Sequence, residues 1–502
     1  MLGIDIGTTN IKAALYTYSG KECFVKSATY SLYTDEFGAA TQSAHEIKEK
    51  TFQVIRASTA ECAKRGWEIS FISFSAAMHS LLAVDDKGEP ISPVFTWGDR
   101  QAEPYLNSLK KETSTTLYHR TGTPLHPMSP FVKLYWLKKD PHKMTKKADK
   151  FMGVKAFLLY QLFNVYVTDY SIANATGLFN MHALSWDKEA LKIVGVSENQ
   201  LPKLVPTTEV LRGMNKEVAL ALGLDPETSV VIGASDGCLA NLGVNAIKQG
   251  QVALSIGTSG AIRTVSERPR VDKKGRTFCY ALTEDLWVIG GSVNNGGVVM
   301  DWAKNRFLDY SNPGAVVNPK EDSYALMMNQ IDSVPLGADQ LFFHPYLVGE
   351  RSPIWRADSK GSFFGLNLHH QNEHMLRAVL EGINLNLYAV YTAISEVIDA
   401  DAKEILVTGG FTQSEIWLQM IADIFGMDLM VTEVSENACL GAAVLGLYAL
   451  GEIKSFSELS LMIPIERRIK PTKSHHQFYQ HHFEKYQQLN EHYLKMFDVL
   501  DE

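Results

Sequence analysis

A four-residue pattern occurs twice, about half a chain apart: Ile6-Gly7-Thr8-Thr9 near the start and Ile256-Gly257-Thr258-Ser259 in the second half. Each copy follows a short apolar run, so each is expected at a strand end. A duplicated unit accounts for both the recurrence and the length, because 502 residues exceed one ordinary core and imply two domains of roughly 250 residues each. Each half then brings one Gly-Thr hairpin to a shared cleft. The segment Val244 to Gly250 lies ahead of the second copy and places the division there, giving domains 1–245 and 246–502.

Strands and helices are both legible along the chain. Leu2 to Ile6, Ile11 to Tyr16 and Lys26 to Tyr30 are apolar runs between turn residues and predict three short strands. From Ser43 to Lys64 apolar positions recur at helical spacing; Ser43 is the expected N-cap, and Glu46, three positions on, completes a capping box. Ile69 to Ser75 and Leu81 to Val84 are again strand-like, and Asp85-Asp86-Lys87-Gly88 supplies a turn of residues that tolerate left-handed backbone. This mixture indicates an α/β protein and not a bundle or sandwich.

Charge and composition narrow the partners. A formal net charge of −8 argues against nucleic acid or an anionic membrane, since either selects a basic surface. Hydrophobic residues at 45% and charged residues at 21% leave ample apolar surface for packed cores, which excludes disorder. Cys23, Cys62, Cys238, Cys279 and Cys439 lie far apart with no CxxC pair, so they read as reduced core thiols and not as a disulfide framework or zinc site. The chain opens directly into MLGIDIG, without the charged and long apolar regions of a secretion signal, and the later apolar stretch Ala438 to Leu450 is too short to span a bilayer. The expected compartment is the cytoplasm and the expected partner a small molecule; a homodimer is compatible with the sequence. Ser474-His475-His476 and His481-His482 fall in a polar C-terminal segment and read as a solvated tail, not as metal ligands.

Four segments carry chemistry. Asp5-Ile6-Gly7-Thr8-Thr9-Asn10 ends an apolar strand with a carboxylate, a glycine and two hydroxyl residues, followed shortly by Lys12. Phosphate chemistry needs that set: glycine lets backbone N–H groups approach phosphate oxygens, hydroxyls donate, and the carboxylate can hold hydrated Mg²⁺. Gly257, Thr258 and Ser259 repeat the arrangement from the other half. There is neither a GxxxxGK[ST] loop nor a GxGxxG after a strand, which sets aside P-loop and dinucleotide folds. Val230 to Ser235 reads as a buried strand that delivers Asp236 into the cleft, where it is the candidate general base for phosphoryl transfer. Thr408-Gly409-Gly410-Phe411, after the strand-like Ile405 to Val407 and before a helix from Ser414, offers flat backbone for a nucleoside.

Two longer stretches give a resemblance. Met128-Ser129-Pro130-Phe131-Val132-Lys133-Leu134-Tyr135-Trp136-Leu137, with Asp140 departing slightly from the usual ending, and Gly361-Ser362-Phe363-Phe364-Gly365-Leu366, followed by His374, Met375, Ala378 and Glu381, resemble the two signatures of the FGGY family of carbohydrate kinases. The likeness runs from residue 1 to about residue 470. It implies duplicated actin-like (ribonuclease H-like) α/β domains, with ATP, Mg²⁺ and a sugar or sugar acid in the cleft between them. Carried over by position, it implies that Thr8, Thr9 and Thr258 contact phosphates, that Gly297 and Gly410 lie against the nucleotide, and that Asp236 is the base. Asp5 and Asp236 are the candidate metal ligands. Met78, His79 and Trp97 border the substrate, with Asp99 and Arg100 as further candidates. Ser73 to Ser80, Thr121 to Met128 and Val293-Asn294-Asn295-Gly296-Gly297 are similar to the gluconate-phosphorylating branch. Ala76-Ala77 stands where pentulose kinases typically carry Gly-Gln, which weakens the alternative of a xylulose kinase. A carboxylate-bearing substrate would need a cation, because an unpaired buried charge is costly; Arg100, His79, His126 and Lys133 are the candidates. Readings of another class are an actin-like nucleotide switch and a sugar-binding regulator without catalysis.

Overall fold

Two mixed sheets carry the fold, and their strand orders repeat one another. The computed structural model describes residues 1–113, 115–139, 144–308, 323–398, 402–434 and 436–500. In the first sheet the order is Val210–Leu211, Ser229–Ser235, Phe71–Ala76, Leu2–Ile6, Asn10–Tyr16 and Glu22–Thr29. In the second it is Phe278–Ala281, Trp287–Val293, Gly260–Ser266, Gln251–Ile256, Glu404–Thr408, Asp428–Thr432 and Ile465–Ile469.

The correspondence extends to strand direction. Leu2–Ile6 pairs antiparallel with Asn10–Tyr16 and parallel with Phe71–Ala76, as Gln251–Ile256 pairs antiparallel with Gly260–Ser266 and parallel with Glu404–Thr408. Beyond each lies another parallel strand and then an antiparallel edge. The central strands are buried on both faces, which is why they read as apolar runs more than as alternations. Each Gly-Thr turn closes its hairpin at the end where the parallel strands deliver their C-termini, so both turns overhang one cleft.

The helix expected from Ser43 runs Ala44–Arg65, with Gly66 closing it in left-handed backbone. The capping box is only half formed. Ser43 Oγ accepts the Glu46 N–H at 3.3 Å, but the Glu46 carboxylate accepts from the Ser31 N–H.

The strands stop where the chain turns: the reading of Lys26 to Tyr30 becomes Glu22–Thr29, and Ile69 to Ser75 becomes Phe71–Ala76. Both signature stretches serve packing. Pro130–Lys139 is a largely buried helix, and Asn372–Ser395 a long helix in which Glu381 accepts from Gly337 N–H, Tyr479 OH and Arg377 Nε at 2.9–3.0 Å. Asp140 lies outside the described residues.

The C-terminal histidines are not on a solvated tail. Lys473–Leu500 is an amphipathic helix docked on the second sheet's core through Tyr479, Phe483 and Tyr486. His482 is buried against Phe342, and His475 Nδ1 lies 2.9 Å from Asp423 Oδ2. Polar composition concealed this, because only every third or fourth residue faces the core.

A different helix ties the halves together. Asn437–Ala449 belongs to the second half of the chain yet buries Cys439, Leu440, Ala443, Val444 and Leu447 against Met1, Ala14, Phe71, Cys238, Leu239 and Leu242 of the first. The approach is close enough to exclude side chains: a Cβ on Gly441 would stand 2.0 Å from the Leu239 carbonyl oxygen, and one on Gly243 would stand 1.8 Å from that of Asn437. No described helix is long and apolar enough to cross a membrane.

Candidate active site

The parallel strands of the first sheet place two carboxylates at one end of the cleft. Asp5 ends Leu2–Ile6 beside Phe71–Ala76, from which Ser75 Oγ donates to Asp5 Oδ1 at 2.6 Å. Asp236 opens the helix Asp236–Gly243 directly after Ser229–Ser235, with Ser235 as N-cap. Its Oδ1 accepts the Gly237 N–H at 2.8 Å. Burial pushes the Asp5 carboxyl up to about 7, and the charge of Asp236 adds to the shift. Burial also raises Asp236, against the pull of the Arg263 guanidinium. Two mutually repelling carboxylates at the C-terminal ends of parallel strands suit a divalent cation. The described residues contain no group of three or more His, Cys, Asp or Glu that could hold a metal alone, so phosphate oxygens and water would have to complete the shell.

The two hairpin turns are pinned from behind. Gly7 N–H donates to Asn10 O at 3.0 Å, Trp97 Nε1 donates to Thr8 Oγ1 at 2.8 Å, and the carbonyls of Gly7 and Thr8 accept from Tyr30 OH and Gln42 Nε2. Thr9 is exposed and Asn10 opens the second strand. In the second half Gly257 N–H donates to Ser259 O, and the N–H groups of Gly297 and Val298 donate to Gly257 O and Thr258 O at 2.7 and 3.1 Å. The helix Gly297–Phe307 therefore abuts the turn so closely that a Cβ on Gly297 would stand 2.7 Å from Gly257 O. Gly257 and Thr258 remain exposed, with open space where a Gly257 Cβ would be.

The remaining nucleotide candidates divide. A Cβ on Gly410 would meet nothing within 4 Å, so its backbone faces open space. Gly409 has φ +120° and its Cβ would stand 2.3 Å from Ile256 O; glycine is required there by the neighbouring strand. Phe411 is a correction: it is core, buried against Trp417. Ser414 caps Glu415–Phe425, its Oγ accepting the Trp417 N–H at 3.2 Å. Lys12 is not a free cation either, because Nζ is bound to both oxygens of Glu436 at 2.8–2.9 Å. Partly exposed ion pairs contribute at most ~1 kcal/mol, so Lys12→Met is expected to shift stability by less than that and ATP affinity by less than ~3-fold. A tenfold or larger loss of ATP affinity in calorimetry would return Lys12 to the phosphates.

A cavity of about 320 Å³ opens between the halves. The first half contributes Thr8, Met78, His79, Trp97, Met128 and Asp236, and the second contributes Ser255, Arg263, Tyr280, Arg351 and Trp355 among others. Met78, His79 and Trp97 thus line this cavity. His79 has φ +67° and Nδ1 2.7 Å from Ala175 O; burial lowers its pKa to about 3, so it is neutral.

Asp99 and Arg100 do not line the cavity. Asp99 is fully buried and accepts from the Ala40 N–H at 2.9 Å, while Arg100 pairs with Glu103 at 2.8 Å and reaches Ala357 O. Lys133 and His126 also fail as cations for a substrate acid. Lys133 Nζ donates to the carbonyls of Pro127 and Met128, and burial lowers it to about 7; burial holds His126 neutral, with Nδ1 accepting the Met128 N–H.

The cationic groups on the cavity wall are Arg263 and Arg351, which the sequence reading missed. An arginine inside the buried strand Gly260–Ser266 was the available signal for the first; the second sits on a loop and had none.

Comparison with known proteins agrees with this architecture. Residues 1–243 match the FGGY family of carbohydrate kinases, N-terminal domain, and residues 252–450 its C-terminal domain. The chain is 48% identical to a gluconokinase of Bacillus subtilis (strain 168) over 94% of its own length and 91% of that protein. It is 27% identical to a xylulose kinase of the same organism, over 91% and 90%. Two Lactobacillus acidophilus structures, described as a gluconate kinase and as a ligand-bound xylulose kinase, each superpose with TM-score 0.91 at 34% identity, covering 98% of this chain and 97% of theirs. Because the family matches cover both halves of a chain whose sheets are themselves duplicated around one cleft, this chain belongs to the FGGY family of carbohydrate kinases.

Proposed function

We propose that the protein transfers the γ-phosphate of ATP to the 6-hydroxyl of D-gluconate. The observation that carries the choice of substrate is the cavity wall, where two buried arginines make no direct ion pair with a carboxylate among the described residues. Buried cations that are not locked in an ion pair suit an anionic sugar better than a neutral ketose. The identity of 48% to a gluconokinase, against 27% to a xylulose kinase, supports the same choice.

In this reading Asp236 accepts the proton of the attacking hydroxyl; burial raises its pKa and the Arg263 guanidinium opposes that rise. The turns Gly7 to Asn10 and Gly257 to Ser259 hold the phosphates from opposite sides, and the backbone at Gly297 and Gly410 borders the nucleoside. Asp5, with Asp236 beside it, would hold Mg²⁺, which supplies charge neutralisation for the β- and γ-phosphates. Met78, His79 and Trp97 position the sugar chain. Residues 1–245 and 246–502 act as two domains whose approach excludes water.

Substrate-dependent ADP release with Mg-ATP tests this against D-gluconate, xylulose, ribulose, glycerol, fuculose and no sugar. Release is expected to be at least ~10² faster with gluconate than with any neutral sugar. A preference for a neutral sugar would move the chain to another branch of the family. Release independent of sugar, or none, would favour a nucleotide switch or a non-catalytic regulator.

A further inference from the structure

The two guanidiniums on the cavity wall are held differently. Arg263 is 9% exposed; Nη1 makes a long 3.5 Å approach to Ser255 Oγ, while Nε has no hydrogen-bond partner. It lies over the start of the helix Asp236–Gly243: a Cβ on Gly237 would stand 3.3 Å from Arg263 Nε. Arg263 therefore belongs to the end of the cavity where the proton leaves.

Arg351 is fixed in plane. Nε donates to Asn294 Oδ1 at 2.7 Å, Nη2 donates to Val293 O at 3.1 Å, and the guanidinium lies 4.8 Å from the Trp97 ring centre. Nη1 is left without a protein partner among the described residues. The adjacent Glu350 does not neutralise it at close range. That carboxylate is turned to the N–H groups of Asn294 and Arg351 and to the side-chain amides of Asn295 and Asn386. A planar, immobilised guanidinium with a free N–H edge on a cavity wall is a carboxylate receptor.

The substrate's own geometry separates the two arginines. An aldonate carries its carboxylate at the opposite end of the carbon chain from its terminal hydroxyl, so a hydroxyl held at Asp236 directs the acid away from Arg263. We infer that Arg351 is the specificity-determining residue that binds the substrate carboxylate, while Arg263 serves the reacting end for any substrate. This assignment rests on the gluconate reading above. It also gives Trp97 a second task, since the ring that carries Arg351 donates to Thr8 of the phosphate turn.

The test compares D-gluconate with D-gluconamide, its neutral counterpart of nearly equal shape, by kcat/KM for ADP release and by calorimetric Kd. The wild-type protein is expected to prefer acid over amide by at least ~30-fold, the low end for a desolvated charge pair. Arg351→Gln is expected to reduce that preference to less than ~3-fold, with Arg351→Lys between the two. Arg263→Gln is expected to lower kcat for both compounds and to leave their ratio in place. The ratio is internal to each protein, so partial loss of folded material does not affect it, and Arg351→Lys carries the test if the glutamine variant does not fold. An undiminished preference in Arg351→Gln, a collapse of the ratio in Arg263→Gln instead, or a wild-type protein that uses acid and amide alike overturns the assignment while leaving the gluconate reading intact. A wild-type protein that turns over neither compound refutes the gluconate reading itself.

Discussion

Asp236→Asn is expected to retain ATP binding while losing ~10²–10⁴ in kcat, the range that removal of a general base costs. The substitution is close to isosteric. The Gly237 N–H that now donates to Asp236 Oδ1 at 2.8 Å keeps an amide oxygen to bond, and the Ser235 cap is untouched. What disappears is the negative charge that balances Arg263 and the lone pair that takes the proton. Stopped assays of ADP release, with calorimetric ATP titration on the same preparation, separate the two effects. Turnover within a few-fold of wild type would remove Asp236 from the chemistry.

Asp5→Asn is expected to cost at least ~10² in turnover and, in the absence of ligands, to stabilise the protein. The sign follows from its titration. The folded-state pKa is about 7 against 3.8 for the free group, so between about pH 4 and 7 the unfolded chain gives up a proton that the folded chain keeps. Stability therefore falls as pH rises through that window, and above it the full cost remains. A shift of this size corresponds to an upper limit of ~4 kcal/mol. The side-chain amide introduced by the substitution would still accept from Ser75 Oγ and carry no charge. Thermal melts should show the variant above wild type at pH 8, with the gap closing toward pH 4, and Mg-ADP should raise wild type more than the variant. A variant that melts below wild type at pH 8 would contradict this account.

What the sequence made legible was local. Asp5 and the turn after it are specified by a strand, a glycine and hydroxyl residues within a few positions, and the second copy behaves alike, so both hairpins could be placed without tertiary information. Asp236 was legible for the same reason, as the residue between a buried strand and the helix that follows. The errors fall where distant segments decide. Lys12 reads as a phosphate cation because nothing near it in sequence announces Glu436, which arrives from the other half of the chain. Phe411 follows two glycines, but the direction of its ring depends on packing against Trp417. Arg263 and Arg351 converge from a strand and a remote loop, and no short pattern encodes that meeting. Asp99 and Arg100 stand next to each other in sequence and engage different partners, Ala40 and Glu103.

The helix Asn437–Ala449 also sets an order of events during synthesis. The face of the first sheet formed by Ala14, Phe71 and Ala234, with the helix Asp236–Gly243 beside it, is completed by side chains from the last quarter of the chain. On the ribosome the N-terminal sheet can pair its strands early, yet its apolar face stays uncovered until residue 449 has left the exit tunnel. Duplication of the fold has therefore not produced two units that mature one after the other. The first half waits for the second before this face is covered.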